Sequence, residues 1–511
     1  MKIKMKTWIK SGSPWIWLTA GSVSISMISV LGILLLIGWK GLSYFWPTPL
    51  QQWQTVDGKV IVGQLYDVQK VHDANADKRE RLVIKVGNRD INGFDFINID
   101  KDKIRTVSKP EDLVVVDRVQ HGKYFGKIIE TSNGLELNRQ QVEAWVRSEK
   151  AKIDLLEQER YKLYRLLDAL PSSTLSKSEI ITKEKVLNHE VDATSKQLSH
   201  SYLILEDSQG SRYQLSSDNV LDIWFPNAMT MKEKVYHWLE SVYEFVSEPP
   251  REANSEGGVF PAIFGTILLV LLMSVIVMPL GVIAAIYLHE YAKPNVLTRL
   301  IRIAVINLAG VPSIVYGVFG LGFFVYVVGG TLDQLFYSNE LPTPTFGTPG
   351  LLWSALTLAI LTLPVVIVAT EEGLSRIPNS VRHGSLALGA TQFETLWKIV
   401  LPMASPAIMT GLILAVARAA GEVAPLMLVG VVKLAPSLPV DSVAPYLHLD
   451  RKFMHLGYHI YDVGFQSPNV EAARPIVYAT AFLLVTVIIG LNLAAIAIRN
   501  NLREKYRTLE L

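Results

Sequence analysis

Six long runs of uncharged apolar residues constrain this chain more than any other feature of its sequence. A helix needs about 20 apolar residues, at 1.5 Å of rise each, to cross about 30 Å of hydrocarbon. Each run meets that length, so the sequence predicts an all-α transmembrane bundle of six helices. The runs are Ile16–Gly38, Val259–Leu288, Ile303–Val328, Leu351–Thr370, Ile399–Val432 and Pro475–Ile498.

The composition agrees with a membrane protein and excludes one group of chemistries. Half of the 511 residues are hydrophobic and 19% are charged, which is more apolar than a typical soluble protein. The chain has no cysteine, so it can form no disulfide, thiolate metal site or thiol nucleophile. The net charge of +2 argues neither for nor against a nucleic-acid partner, and none is expected.

The first run follows a basic tail, residues 1–14, and therefore resembles the start of a signal peptide. It is too long for the apolar region of a signal peptide, and no Ala-x-Ala site follows it. We therefore predict a retained signal-anchor helix at residues 15–39.

Lysine and arginine predict the orientation, because they concentrate on the cytoplasmic side of a membrane protein. They cluster in both terminal tails, including 501–511, and in the connections after the second and fourth runs. Both termini are therefore predicted to be cytoplasmic in the inner membrane, with residues 40–258 periplasmic or external. The residues are Lys2, Lys4, Lys6, Lys10, Lys293, Arg299, Arg302, Arg376, Arg382, Lys398, Arg499, Arg503, Lys505 and Arg507.

Residues 50–226 are typical of a soluble, extracytoplasmic β-rich domain. Short β-branched runs alternate with turn pairs such as Asp57-Gly58. Residues 57–65 resemble 121–129, and residues 82–107 resemble 203–224. This internal similarity favours two small β units of four or five strands each. Chance similarity between β-rich sequences is an equal alternative. Residues 227–258 are predicted to be a linker.

A helical insert interrupts the second β unit. Apolar residues recur at heptad spacing from Val142 to Leu170 and again from Ile180 to Leu198. The pattern predicts a helical hairpin over residues 138–199. It is either a plain architectural element or a partner-docking one, and the architectural interpretation is the simpler.

The connection between the fourth and fifth runs, residues 371–402, combines turn chemistry with apolar faces. Residues 380–388 favour a short helix, Gly389 permits a sharp turn, and residues 392–400 favour a second helix. Pro402 suits the first turn of the helix that follows. The pattern predicts a helix-turn-helix at the cytoplasmic surface, suited to docking a partner.

This loop resembles the coupling helix of permease subunits in ABC importers. The family pattern is Glu-Ala-Ala, three residues, Gly, nine residues, then Ile-x-Leu-Pro. Here it is matched in spacing, with His-Gly-Ser in place of Glu-Ala-Ala. The resemblance implies that a groove of the ATP-hydrolysing subunit receives this loop, through Arg382, His383, Gly384, Ser385, Gly389, Ile399, Leu401 and Pro402. The histidine at position 383 leaves open any contact that needs a carboxylate.

Two longer stretches, 308–320 and 388–428, resemble the PstA family of phosphate-specific ABC importer permeases. The resemblance implies a type I importer permease fold over residues 259–500 and a transport subunit without an enzymatic site. It also implies three kinds of partner: an ATPase dimer of the PstB type, a second permease of the PstC type and a phosphate-binding protein. No Walker A pattern occurs, so ATP and Mg would be used by the ATPase; no cofactor or metal is expected on this chain. The family has only a short loop where this chain has about 200 residues.

Two charges, Arg418 and Glu422, interrupt the fifth apolar run. A charge at the bilayer centre costs about 2.5–3.5 kcal/mol, so such residues usually face protein or water and mark a pathway. Their i, i+4 spacing would place both on one helical face. We interpret them as a phosphate translocation site; the alternative is a self-neutralising pair that only packs the helix.

Small and kink-prone residues in 307–322, among them Asn307, Pro312 and Ser313, predict a broken helix that packs beside this pathway. Three other functions remain open from sequence alone: a permease for a related oxyanion such as sulfate or molybdate, a secondary transporter, and a membrane scaffold or signalling protein that acts through its external domain.

Overall fold

The structure is a computed structural model that describes residues 11–72, 78–88, 91, 93–131, 141–142, 144–148, 151, 185, 202–251, 254, 256–339, 341–441, 444–467 and 470–506. The chain forms two compact units. A helical unit comprises residues 1–44, 259–439 and 448–511, and a β-rich unit comprises residues 45–258 and 440–447.

The helices are numbered along the chain. They are α1 (Ser13–Ser43), α2 (Met231–Ser247), α3 (Phe260–Ile286), α4 (Val296–Leu308), α5 (Ser313–Phe319), α6 (Gly330–Phe336), α7 (Leu351–Ser375), α8 (Asn379–Ala387), α9 (Gln392–Thr395), α10 (Leu401–Gly421), α11 (Leu426–Val429), α12 (Leu456–Tyr461) and α13 (Val470–Tyr506). The π-helical segments Tyr287–Tyr291, Gly320–Gly329, Leu396–Val400 and Asp462–Gln466 follow α3, α5, α9 and α12.

Within the described residues, six helical stretches are long and apolar enough to cross a membrane, as the sequence predicts. They are Trp15–Ser43, Phe260–Tyr291, Ser313–Phe336, Leu351–Ser375, Gln392–Gly421 and Ala473–Asn501. Each stretch overlaps one of the six predicted runs, so their number and order are confirmed.

Two predicted ends are wrong, both where apolar residues continue past the end of a helix. The third run was predicted from Ile303, yet α4 ends at Leu308 and the span starts at Ser313. Pro312, which has no N–H and restricts the residue before it, separates the two helices. The fifth run was predicted to extend to Val432, but its helix ends at Gly421.

Small residues set the close contacts between the spans of the helical unit. Helix α7 is the most enclosed span, and it packs against both α3 and α10. A Cβ added to Gly281 of α3 would lie 2.6 Å from the Val366 side chain, and one added to Gly373 would lie 2.5 Å from Ala407. Such contacts let backbones approach closely, which is how membrane helices gain packing energy.

The β-rich unit contains two five-stranded antiparallel sheets with the same connectivity. The strands are β1 (Gln51–Thr55), β2 (Val60–His72), β3 (Lys78–Lys85), β4 (Phe96–Asp100), β5 (Ile104–Ser108), β6 (Val114–Arg118), β7 (Tyr124–Thr131), β8 (Tyr202–Glu206), β9 (Arg212–Ser216) and β10 (Val220–Trp224). The first sheet has the order β4-β3-β2-β1-β5, and the second has β9-β8-β7-β6-β10. In both, a 3₁₀ turn joins the fourth strand to the fifth. A two-stranded ribbon, β11 (Pro250–Arg251) and β12 (Glu256–Gly257), follows α2.

Equivalent glycines support an internal repeat rather than chance similarity. A Cβ on Gly63 of β2 would lie 2.3 Å from the carbonyl oxygen of Lys85, the last residue of β3. In the second sheet, a Cβ on Gly126 of β7 would lie 2.3 Å from the carbonyl oxygen of Glu206, the last residue of β8. The same close approach of backbone to backbone therefore requires glycine at corresponding places in both sheets.

Each sheet has its own apolar core, centred on Trp53 and Ile84 in the first and on Tyr124 and Leu205 in the second. The predicted helical hairpin, 138–199, lies almost wholly outside the described residues. Two members of its heptad pattern, Val142 and Val146, are described and are buried in the second core.

The predicted linker, 227–258, contains the 17-residue helix α2 and is therefore not a simple linker. Thr230 and Glu233 form a reciprocal capping box at its N-terminus: the Thr230 side chain accepts from the Glu233 N–H, and the Glu233 carboxylate accepts from the Thr230 N–H. This spacing is a recognisable start signal in sequence.

Candidate functional site

The loop after α7 is a compact helix-turn-helix, as its turn chemistry predicts. Helix α8 ends near Leu388, and Gly389 then adopts φ +90°, a left-handed conformation that favours glycine. Thr391 caps the next helix, α9, through a reciprocal box with Glu394. Pro402 lies in the first turn of α10.

Two buried hydroxyl groups join the two halves of this loop. The Oγ of Ser385 in α8 lies 2.9 Å from the Oγ1 of Thr395 in α9. Buried hydroxyls without a partner would destabilise the loop, so this bond specifies the angle between the helices. Ser385, predicted as part of the coupling pattern, therefore holds the loop together from inside.

The outward side of the loop is unusually apolar. His383 and Gly384 are exposed, as are Leu388 (91%), Phe393 (65%) and Trp397 (64%). The Phe393 and Trp397 rings stack with their centroids 6.2 Å apart. We call Leu388, Phe393 and Trp397 the coupling surface. Sequence reasoning missed these three residues, although the i, i+4 spacing of the two aromatics was a visible signal.

Arg382 faces this chain rather than the outside of the loop. Its guanidinium donates to the carbonyl oxygens of Leu374 (2.8 Å) and Ile377 (2.7 Å) at the end of α7. It also donates to Glu290 Oε1 at 3.0 Å, and Glu290 contacts His289 Nδ1 at 3.0 Å. Arg382 therefore connects helix α8 to the ends of α7 and α3.

The closing residues of the predicted pattern also pack inward. Ile399 and Pro402 are half-buried, and Leu401 contacts an apolar cluster that includes Leu374 and Val400. They set the position of the loop relative to α10. Gly389 is exposed and provides the turn.

A cavity of about 650 Å³ lies beside the Arg382 contacts. Its lining includes His289, Arg302, Glu371 and Arg376. Arg302, on its lining, donates to the Leu288 carbonyl at 2.7 Å and pairs with Glu371 at 3.5 Å. Arg418 and Glu422 do not line this cavity.

Arg418 and Glu422 lie at the end of the fifth span, not near its middle as the sequence predicts. Arg418 occupies the last turn of α10, and Glu422 follows the helix in an extended conformation (φ −80°, ψ 130°). The helix ends here because Gly421 is a poor helix former and Ala424-Pro425 disfavours helical geometry.

The two charged groups form an ion pair. Arg418 Nε lies 3.5 Å from Glu422 Oε1, and the side chains are 33% and 21% exposed. The distance is longer than that of a charge-assisted hydrogen bond, typically about 2.7–2.9 Å. The pair is therefore loose and reachable by solvent in the isolated chain.

Helix α5 packs beside this pair. Tyr316 lies within electrostatic range of Arg418 and donates its hydroxyl to the Leu308 carbonyl at 2.5 Å. A Cβ on Gly317 would lie 2.7 Å from the Pro425 Cα, just past Glu422. The glycine therefore serves close packing against the bend that carries Glu422.

The bend between α4 and α5 contains the three residues predicted to pack beside the pathway. The Asn307 carbonyl accepts from the Gly310 N–H (3.0 Å), and Pro312 directly precedes α5, which starts at Ser313. Because Tyr316 is hydrogen-bonded to Leu308, this bend and the Arg418 region are linked through α5.

Comparison with known proteins gives a family. Residues 277–507 match the family described as binding-protein-dependent transport system inner membrane component. The chain is 32% identical over 245 residues to the phosphate transport system permease protein PstA of Mycobacterium leprae, covering 48% of this chain and 71% of that protein.

Two further relatives match over shorter stretches. The chain is 34% identical over 195 residues to the probable ABC transporter permease protein YqgH of Bacillus subtilis, covering 38% of this chain and 59% of that protein. It is 37% identical over 175 residues to the phosphate transport system permease protein PstA 1 of Mycobacterium tuberculosis, covering 34% of this chain and 52% of that protein. The chain thus spans little more than half the length of these two relatives.

Among solved structures, an inward-facing MetNI methionine ABC transporter chain is 20% identical with a TM-score of 0.34, covering 48% of this chain and 94% of that chain. A similarity this low supports no argument about this protein.

Proposed function

Because this chain belongs to the binding-protein-dependent transport system inner membrane component family, we propose that it is the permease subunit of an ATP-driven importer for inorganic phosphate. The observation that carries the proposal is the combination, in one chain of this family, of an exposed apolar loop and an arginine–glutamate pair at the end of the fifth span. The names of the PstA relatives support phosphate as the cargo.

The chemistry of Arg418 supports an anionic cargo. Its planar guanidinium presents several donors to phosphate oxygens and stays protonated throughout transport. In the resting pair it has one loose carboxylate partner, at 3.5 Å. Phosphate would replace Glu422 as the partner of Arg418, and the return of Glu422 would favour release.

Glu422 also provides a basis for selectivity. A carboxylate can accept a hydrogen bond from the P–OH of hydrogen phosphate. Sulfate is fully ionised at neutral pH and has no such proton, so its oxygens would be repelled by the carboxylate. Selectivity would therefore come from an attractive element, Arg418, and a repulsive one, Glu422.

ATP would act through the coupling surface. Exposed aromatic and aliphatic residues such as Leu388, Phe393 and Trp397 are typical of buried interface centres. An ATPase dimer would receive this surface, and Arg382 would transmit its movement to α7 and α3. The complete importer would also contain a second permease and a phosphate-binding protein.

The positive residues support an orientation with both termini in the cytoplasm. Residues 40–258 then lie on the side from which phosphate enters. The two β sheets and the helices inserted among them would be periplasmic or external.

Mutants of the ion pair test the transport site. Arg418→Lys should reduce phosphate uptake strongly, because an ammonium is a point charge rather than a fork. Glu422→Gln should leave uptake measurable but admit more sulfate. The matched control is Arg376→Lys, whose side chain is 80% exposed and pairs with Glu372 only at 4.0 Å. Unchanged uptake and selectivity in both variants would contradict the site.

A permease for sulfate or molybdate is the second candidate within the same family. It predicts that purified importer binds and transports sulfate or molybdate in preference to phosphate. Co-purification separates both permeases from a scaffold or signalling protein, because only a permease requires an ATPase and a second permease in the same complex.

A further inference from the structure

Helix α2, Met231–Ser247, presents apolar side chains on two faces. One face is buried in the β-rich unit through His237 and Phe245. The other is exposed, and its members are Val235 (44%), Tyr236 (64%), Leu239 (55%), Tyr243 (72%) and Val246 (37%). We call these five residues the α2 stripe.

The stripe is continuous along the helix. Val235, Leu239, Tyr243 and Val246 follow one another at spacings of four, four and three residues, so their side chains share one face. A helix at the surface of a soluble unit normally has polar residues on that face. A large exposed apolar patch of this kind marks an interaction surface.

The surroundings of α2 indicate which partner covers the stripe. At its C-terminal end, the Phe245 ring lies 5.1 Å from the Phe45 ring. Phe45 is two residues past α1, which ends at Ser43, and belongs to the aromatic run Tyr44-Phe45-Trp46. Aromatic residues at the end of a span mark the level of the lipid headgroups.

The chain after α2 leads directly into the membrane as well. Residues 248–259 connect it to the second span, which begins at Phe260. Two links thus tie the C-terminal end of α2 to spans, one through the contact with Phe45 and one through the chain itself.

The residue types of the stripe suit an interface. Two of its five members are tyrosines, which place a ring in the apolar region and a hydroxyl near water. Lys232, exposed on the same face one turn earlier, can extend its ammonium towards lipid phosphates while its alkyl stem stays apolar. Glu240 is exposed at the margin of the stripe, where a carboxylate can stay in water.

We propose that α2 is an interfacial helix whose stripe of Val235, Tyr236, Leu239, Tyr243 and Val246 inserts between the headgroups of the lipid bilayer. It is a second membrane contact of this chain besides its spans. Its effect is to hold the segment between the first two spans at the membrane surface. The inference does not depend on the identity of the cargo or on ATP.

The absence of cysteine from the sequence makes a direct test possible. Single cysteines at Leu239 and Tyr243, introduced into the full chain, can carry nitroxide spin labels in vesicles of phosphatidylethanolamine and phosphatidylglycerol. Val56→Cys is the matched control, since Val56 is an exposed apolar residue (66%) in a turn of the first sheet. Collisions with oxygen, which concentrates in lipid, are compared with collisions with a water-soluble nickel chelate.

The proposal predicts that labels at Leu239 and Tyr243 collide more with oxygen than with the nickel chelate, and that the label at Val56 shows the reverse. Greater access to the chelate at both stripe positions would show that they lie in water and would overturn the proposal. Protection from both reagents would overturn it too, because the stripe would then be covered by protein. All three substitutions replace exposed side chains, so the fold is expected to persist.

Discussion

Replacing Arg382 with alanine should loosen helix α8 from the rest of the helical unit. The guanidinium makes four hydrogen bonds within the chain. Three leave α8, to the carbonyls of Leu374 and Ile377 and to the carboxylate of Glu290, and the fourth and longest, 3.4 Å to Asn379 Oδ1, lies within α8. Through the first three the side chain cross-links α8 to the ends of α7 and α3, and alanine removes them all at once.

The magnitude follows from the burial of the two charges. Removing one partner of a buried ion pair costs about 3–5 kcal/mol, because the other charge remains uncompensated. The side chains of Arg382 and Glu290 are 14% and 22% exposed, so some water can reach the vacated site. His289 also remains beside Glu290, at 3.0 Å. We therefore expect a loss near the lower end of that range, about 3 kcal/mol.

Hydrogen exchange of the α8 backbone measures this loss directly. A decrease of about 3 kcal/mol in the free energy of local opening corresponds to exchange about a hundredfold faster. The matched control is Arg376→Ala, which removes an exposed arginine from the same region. A double mutant with Glu290→Gln should add less than the sum of the single changes, since both alter one contact.

Equal exchange of α8 amides in the wild-type chain and the Arg382→Ala variant would refute the cross-link. So would full additivity with Glu290→Gln. If the complete importer is used, a loosened α8 should also raise the ATP hydrolysed for each phosphate transported.

Three further predictions concern packing, pH and docking. Gly317→Val should destabilise the helical unit by about 1–3 kcal/mol in a thermal unfolding assay, because its Cβ would meet the Pro425 backbone at 2.7 Å. The control Gly384→Ala, in α8 with nothing within 4 Å of the added Cβ, should not destabilise it, since alanine favours helix over glycine by up to about 1 kcal/mol. Burial lowers the pKa of His455 and of His459 from an ordinary 6.5 to about 4. In addition, His455 Nδ1 must stay unprotonated, because it accepts a hydrogen bond from the Gly457 N–H. As the pH falls, the unfolded chain therefore binds protons at these histidines before the folded chain does. The free energy of unfolding should be constant above about pH 6.5 and fall by about 3 kcal/mol per histidine towards pH 4. An unfolding midpoint that does not change between these pH values would contradict this prediction. Trp397→Ala should weaken binding of the ATPase by more than about 1 kcal/mol in a pull-down titration, whereas Lys398→Ala, on an exposed side chain next to it, should not.

The sequence predicted those features that depend on local composition. The length of the apolar runs gave the six spans, and the turn residues around Gly389 gave the helix-turn-helix. Similar stretches in residues 57–107 and 121–224 indicated two β units, and both sheets have the same strand order.

Features that depend on distant contacts were not predictable in this way. Arg382 faces inward because of Glu290, which lies 92 residues earlier in the chain. The end of α10 at Gly421 was missed because hydropathy continues through Ala424-Pro425. Helix α2 was predicted only as linker, although the capping box of Thr230 and Glu233 was a usable signal of a helix start.

Uptake of labelled phosphate into vesicles tests the central claim most directly. The vesicles would contain this chain, its second permease and its ATPase, with the binding protein and phosphate supplied on the entry side. We predict uptake that requires ATP, exceeds uptake of sulfate and is strongly reduced by Arg418→Lys. Uptake that continues without ATP or the ATPase, or that prefers sulfate to phosphate, would contradict the account.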